Sequence, residues 1–469
     1  MAYYNFQTLH RPLLTMHFQV VIVGGGVTGA ALAYVLARYT DIASIALLEK
    51  AGRPATVNSA VSQNSQTLHG GDIETNYTLE KAAEVKRAAD MLVRYVESVG
   101  AGGILHRMPK MVLGVGEQEA GFLRERFRHF QPLYPAMRLL DAVGIAEVEP
   151  EVARPEGKLR AEPLAALVLP ESYCAADFGR LTESFLRQAA RLKPGLEVRF
   201  ACRAKRIERS GQAYRISTQH ASAIFDDASF KQDVVIDADF VAVCTGAYSL
   251  GFAQSLGFGD ALSILPIAGS FFHAPQRVRG KVYTVQSEKL PFAAVHADPD
   301  IEHPGRMRLG PTALPVPFLE RRNWRTVPEF LRTLKLDGST LATFASILGE
   351  QELRRYAVRN LFYEIPFLRG PLFLREARKI LPALRASDLR YARGKGGLRP
   401  QLIDRQARAL RLGSARISSE EGLLFNITPS PGASSCLANA GEDARRIAAC
   451  LGRKFNAEEM MHDLEATPT

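Results

Sequence analysis

Cysteine is scarce in this chain of 469 residues: Cys174, Cys202, Cys244, Cys436 and Cys450 share no CxxC or other metal-ligand spacing. An odd count without such spacing leaves no basis for a zinc module or a disulfide framework, so a reducing compartment is expected. Long apolar runs are also missing. The longest uncharged stretch near the start, residues 18–37, is broken by Gly24, Gly25, Gly26 and Gly29. Glycines weaken a spanning helix but serve a strand–turn–helix, so no transmembrane segment is expected. The opening residues are short of charge: Arg11 is the only charged side chain before Arg38, and Asp41 is the first acid. That is too little positive charge for a signal or transit peptide, and residues 1–16 read as an N-terminal extension. Internal repeats and low-complexity tracts are absent as well.

The composition is otherwise that of a globular protein, 46% hydrophobic and 23% charged, long enough for two or three domains. A net charge of +10, from 59 Lys and Arg against 49 Asp and Glu, favours anionic partners: a polyanion, an acidic lipid surface or a small acidic substrate. Without a recognisable nucleic-acid module, +10 over this length is too dilute to indicate nucleic acid.

The most informative segment lies near the start. Residues 18–23 form a short apolar run suited to a buried parallel strand, and Gly24-x-Gly26-x-x-Gly29 follows at once, ahead of a helix-forming stretch. Gly24 permits the tight turn, Gly26 the approach of backbone to a pyrophosphate, and Gly29 the close packing of helix on strand. The helix start then points free amides and its positive dipole end at phosphate. A second apolar run, residues 45–48, ends in Glu49, a carboxylate placed to accept hydrogen bonds from ribose hydroxyls and to repel a 2′-phosphate. NADP is thereby disfavoured, while FAD and NAD remain. A polar loop follows, with Asn58, Ser59, Asn64, Ser65 and Gln66 ending at Gly70-Gly71. A plain βα return is usual in an NAD domain, so this loop favours FAD.

Further along, helices are expected over residues 77–99, 117–130 and from Asp177, a fitting N-cap, to 190. Strands are expected over 104–115, 196–201, 213–217, 234–237, 240–244, 269–273, 292–296 and 423–427. The 240–244 strand ends in Thr245-Gly246, a turn able to bring a second backbone segment to the phosphates. Residues 428–433 form a small-residue turn before a final helix over 434–451, whose free amides suit the carbonyl edge of a flavin.

These segments together resemble the FAD-dependent amino- and hydroxy-acid oxidoreductases, the superfamily of D-amino-acid oxidase. Within it, residues 64–78, NSQTLHGGDIETNYT, are similar to malate:quinone oxidoreductases of the shorter bacterial form. Residues 265–270, 310–313, 397–401 and 426–435 agree with that likeness, which spreads over residues 17–450. L-2-hydroxyglutarate oxidoreductases are similar over the same segments, including a Val-His like Val295-His296.

The resemblance implies an α/β fold: a Rossmann-like FAD-binding domain in pieces (17–100, 171–265 and 385–452) with an inserted α+β domain (101–170 and 266–384) facing substrate and membrane. Residues 453–469 are expected to form a C-terminal tail. It implies non-covalent FAD, held by Gly24, Gly26, Gly29, Glu49, Asn58, Ser59, Asn64, Ser65, Gln66, Thr245, Gly246, Gly397, Ser430, Pro431, Gly432 and Ala433. The implied reaction is oxidation of L-malate to oxaloacetate, with electrons passed to a membrane quinone. A second 2-hydroxy acid, L-2-hydroxyglutarate first, and a flavin-binding scaffold without turnover are the alternatives. A 2-hydroxy acid loses a hydride to the flavin and a proton to a base, for which His suits neutral pH. His296 is the first choice and His69 the second, with Arg399 as the fork for a carboxylate. Arg321, Arg322, Trp324 and Arg325, with Arg354, Arg355 and Arg359, mix basic and aromatic groups suited to an anionic bilayer. A cytoplasmic enzyme resting peripherally on the inner face of the cell membrane is expected.

Overall fold

The computed structural model describes residues 16–220, 234–286, 294–411, 415–427 and 432–465. Strand Met16–Val23 sits at the centre of a sheet, with Ile45–Leu48 and then Leu196–Arg199 on one side, and Val235–Val243 and then Leu423–Ile427 on the other. All of these pairs are parallel. Both faces of the second half of the central strand are covered, which is why residues 20–23 read as an unbroken apolar run. Val20 and Ile22 pack under helices Val27–Tyr39, Phe178–Leu192 and Cys436–Cys450. Val21 and Val23 face the hairpin of strands Cys202–Ser210 and Ala213–His220. Asp177 caps its helix as expected, accepting the amides of Gly179 and Arg180 at 2.9 and 3.0 Å.

A second sheet of eight strands runs in the order Arg390–Tyr391, Phe272–Pro275, Arg306–Gly310, His296–Pro299, Lys281–Thr284, Leu105–Val115, Leu164–Ala176 and Arg138–Leu140. One face packs on helix Arg369–Ala377 through Phe272 and Phe373, stacked at 4.3 Å. The other packs on helix Glu117–Phe130. A four-stranded sheet pairs Leu262–Ala268 antiparallel with Leu398–Asp404. The α/β architecture with a Rossmann-like parallel sheet is therefore as expected.

Several local readings change. Residues 234–237 and 240–244 are one continuous strand, because Asp237 and Asp239 alternate outward while Ile236 and Ala238 face the core. Strand Cys202–Ser210 was not anticipated, since its outward side carries Arg and Lys and hides the alternation. The strand expected to end at His296 instead begins there, and residues 292–293 lie outside the described residues. The stretch after 453 holds helix Ala457–Leu464, whose Met460 and Leu464 belong to the main core. Among the described residues, no helix is long and apolar enough to cross a membrane.

Candidate functional site

The parallel sheet ends at a cavity of about 900 Å³, near the upper end of the range of about 300–1,000 Å³ usual for cofactor pockets. Its floor is the turn after the central strand. Gly24 has φ +114°, and a β-carbon there would lie 2.5 Å from the Cys244 carbonyl oxygen. A β-carbon on Gly29 would run into the Gly24 carbonyl oxygen, so Gly29 sets helix packing rather than the cavity wall. Glu49 faces the cavity, and its carboxylate accepts the amides of Gly25 at 2.7 Å and Ala51 at 2.8 Å. Two backbone bonds fix the carboxylate and leave lone pairs for hydroxyl donors. Ser59 accepts the Val27 amide at 3.0 Å, which draws the polar loop onto the helix start.

Asn58 accepts the Leu398 amide at 3.0 Å, joining this loop to the late segment carrying Gly397 and Arg399. Asn64 donates to the carbonyls of Asn58 and Ala60 at 3.1 and 2.9 Å, so it braces the loop from within. Gly24, Gly26, Glu49, Asn58, Ser59, Asn64, Ser65, Thr245, Gly246, Gly397, Gly432 and Ala433 all line the cavity. Gln66 does not. It is fully buried, donating to Asp300 at 3.1 Å and accepting the Ile301 amide at 3.1 Å, which ties the loop to the second sheet. Ser430 and Pro431 lie outside the described residues. The glycine cradle, the helix start and the fixed acid fit the adenosine diphosphate part of FAD, and the run of the cavity on to Gly397 and Gly432 leaves room for its ring.

His69 and Arg399 line this cavity and also a second one of about 750 Å³, so the two cavities meet there. The His69 amide donates to Ser434 at 2.9 Å, and its Nδ1 pairs with the buried Glu74 carboxylate. Burial alone would raise the Glu74 pKa, but His69 and Lys110 hold it below the usual carboxylate value. Arg399 has no carboxylate partner among the described residues. Burial pushes its guanidinium below its ordinary pKa, and the groups that oppose this are Tyr356, Tyr77 and Tyr283. A cation desolvated without a counter-ion is a ready seat for a small anion.

His296 is placed differently. It is 1% exposed, lines neither cavity, and stacks on Tyr283 at 4.4 Å between ring centroids. Its Nδ1 lies 2.7 Å from Asp298, which also pairs with Lys281 at 3.2 Å. Burial lowers the His296 pKa despite Asp298. Lys281 donates to the Ser65 carbonyl at 3.2 Å and Arg308 to the Asn64 carbonyl at 3.0 Å. The cluster thus holds the back of the polar loop. Sequence reasoning missed Glu74, Lys281, Asp298 and Arg308. Glu74 lies five residues beyond His69 in the most family-like segment, the one signal that could have found it.

A parallel nucleotide-holding sheet whose cavity runs on into a second, mixed sheet is the architecture of flavin-dependent oxidoreductases. The chain matches the family described as FAD dependent oxidoreductase over residues 19–440. It is 39% identical over 455 residues to malate:quinone oxidoreductase of Helicobacter pylori, covering 96% of this chain and 98% of that one. Human mitochondrial L-2-hydroxyglutarate dehydrogenase is 24% identical over 450 residues, covering 93% and 90%. The fold is also that of solved structures. For glycine oxidase from Geobacillus kaustophilus the TM-score is 0.61 at 17% identity, covering 93% of this chain and 95% of that one. For FAD-bound L-α-glycerophosphate oxidase from Mycoplasma pneumoniae it is 0.60 at 15%, covering 94% and 96%. The chain belongs to the FAD-dependent oxidoreductase family and, within it, groups with the malate:quinone oxidoreductases. FAD is its cofactor.

Proposed function

We propose that this protein oxidises L-malate to oxaloacetate and delivers the electrons to a membrane quinone. The observation that carries the reading is Arg399, half-buried and without a carboxylate partner among the described residues, on the walls of both cavities together with His69 of the His69–Glu74 pair. FAD, when bound, supplies the acceptor for the hydride that leaves C2 of the acid. Arg399 takes a substrate carboxylate through two parallel hydrogen bonds and so fixes the acid at the mouth of the nucleotide cavity. His69 receives the hydroxyl proton at Nε2, since Nδ1 is held by Glu74, whose negative charge offsets the imidazolium that forms. His296, enclosed behind Tyr283, acts only from the rear, through Asp298 and its partner Lys281, which donates to the Ser65 carbonyl, so the order of the two histidines reverses the one expected from the sequence. Gly24, Gly26, Glu49 and Ser59 hold the nucleotide, and Thr245, Gly246, Gly397, Gly432 and Ala433 complete its walls. No cysteine or histidine is assigned to covalent attachment.

Access to quinone needs a lipid surface. Ten of the fifteen exposed large hydrophobic side chains among the described residues lie between residues 324 and 372, including Trp324 at 69% and Phe367 at 78%. Helix Gly338–Gly349 buries only Thr340 and Thr343, and Gln351–Phe362 buries only Asn360, so their leucines point outward beside Arg354, Arg355 and Arg359. Apolar anchors ringed by arginine suit an anionic bilayer. Anaerobic addition of L-malate to the yellow protein is expected to bleach the flavin, and a ubiquinone analogue to restore the colour. Bleaching by L-2-hydroxyglutarate and not by L-malate would transfer the reading to the rival acid. No bleaching by either would leave only the scaffold.

A further inference from the structure

Strand Phe272–Pro275 and the turn after strand His296–Pro299 bring three metal-ligating side chains together outside both cavities. Asp300 is 3% exposed, and its two carboxylate oxygens are used differently. Oδ1 accepts the Gln66 side-chain amide at 3.1 Å and the Glu302 backbone amide at 3.0 Å, which fixes the plane of the group. Oδ2 has no hydrogen-bond partner among the described residues. It faces two imidazoles, with His303 Nδ1 at 3.4 Å and His273 Nδ1 at 3.9 Å. Both nitrogens are likewise buried and without a hydrogen-bond partner among the described residues. Unpaired buried polar atoms are costly and uncommon, and three of them converging on one point call for a shared partner. The separations are longer than a good hydrogen bond. They lie close to the about 3.3–3.6 Å that divides neighbouring ligands on a tetrahedral zinc ion, whose bonds are about 2.0–2.2 Å.

We propose that His273 Nδ1, Asp300 Oδ2 and His303 Nδ1 bind one divalent ion of the zinc class. Two imidazoles and one carboxylate suit zinc, whereas calcium and magnesium take oxygen ligands. Each ring then carries its proton on Nε2 and offers the Nδ1 lone pair to the ion, and a water takes the fourth position. The neighbouring cations are engaged elsewhere. Lys395 pairs with Glu302 Oε2 at 2.5 Å, and that oxygen lies 3.6 Å from His303 Nδ1, so Glu302 stands at the rim of the site. Arg308 acts on Asp300 by its charge, but it also faces Asp298 and donates to the Asn64 carbonyl at 3.0 Å. Its Nε and Nη2 have no hydrogen-bond partner among the described residues, so the guanidinium does not close Asp300 Oδ2. The His303 side chain is 39% exposed, which gives the ion a way in from solvent. The role is structural, since none of the three ligands lines a cavity. Asp300 holds Gln66, and Gln66 belongs to the polar loop, so the ion clamps that loop to the second sheet from behind.

The test is a calorimetric titration of Zn2+ into the untagged, FAD-loaded full chain after treatment with a chelator. One ion should bind per chain, and the unfolding midpoint should rise with added Zn2+. His273→Ala and His303→Ala should each weaken binding by more than about a hundredfold, because loss of a group that merely supports a ligand already costs about tenfold to a hundredfold. Asp300→Asn should do the same. It keeps the shape and the oxygen that faces Gln66, and so guards against a variant that fails to fold. His129→Ala, at an exposed histidine, should leave binding unchanged. Absence of Zn2+ binding to the parent, equal binding in folded His273→Ala and His303→Ala, or equal binding of Mg2+ overturns the inference. Neither malate nor quinone enters the measurement, so its outcome is independent of the malate reading.

Discussion

At the scale of single residues, position relative to the cavity separates side chains that the sequence presents alike. His69 and His296 are both histidines in family-like segments, yet one stands on the wall of both cavities and the other is sealed behind Tyr283. His69→Ala is expected to slow flavin reduction by malate by about a hundredfold to ten-thousandfold, as loss of a general base does. His296→Ala should show its main effect as a lower unfolding midpoint, because Asp298 and Lys281 lose a buried neighbour. Stopped-flow reduction alongside thermal unfolding separates the two, and equal losses of rate would refute the assignment. The glycines were legible because their constraint is local: Gly24 needs its positive φ, and Gly29 lies against the Gly24 carbonyl whatever surrounds them. Arg399 was legible through its glycine-flanked segment. Gln66 was not, since its neighbours Asp300 and Ile301 are more than 230 residues away along the chain.

At the scale of elements, strands buried on both faces announced themselves, and strands with one wet face did not. Residues 20–23 of the central strand and Ile45–Leu48 are continuous apolar runs, whereas Cys202–Ser210 alternates small core residues with charges in the manner of a surface loop. The second sheet is held by contacts of a kind that no periodicity foretells. Glu149, fully buried between two short helices, accepts the amides of Arg279 and Gly280 at 2.8 and 2.7 Å and so pins the turn before strand Lys281–Thr284. Burial nevertheless raises its pKa from the ordinary value of 4.5 to about 7. The folded protein therefore binds this proton more tightly than the unfolded chain does. Its stabilising contribution is whole below pH 4.5 and is lost as the pH climbs through 7, a change of roughly 3 kcal/mol. Denaturant unfolding at several pH values should show that decline, and Glu149→Gln should flatten it. A slope of the opposite sign would contradict the assignment.

At the scale of the whole molecule, the outward leucines gather on one stretch of helices that also carries Arg354, Arg355 and Arg359, although the sequence alone allowed a solvated face there. Helix Gly338–Gly349 is apolar in composition yet buries no leucine, a distinction that only the fold supplies. Replacing Leu361 and Phe367 with Asp should weaken binding to vesicles of anionic phospholipid in a flotation assay, with FAD content equal to that of the parent. Raised salt should weaken the parent's binding too, because part of the attraction is between arginine and headgroup. Undiminished flotation of the double variant would move the contact elsewhere on the surface.

One feature of the site reaches beyond chemistry. His69, Arg399 and Gly432 belong to the walls of both cavities, so each chamber borrows part of its lining from the other. On the malate reading, an acid held against this shared wall should hinder departure of the dinucleotide, so FAD is expected to be lost more slowly on dilution when L-malate is present than when it is absent.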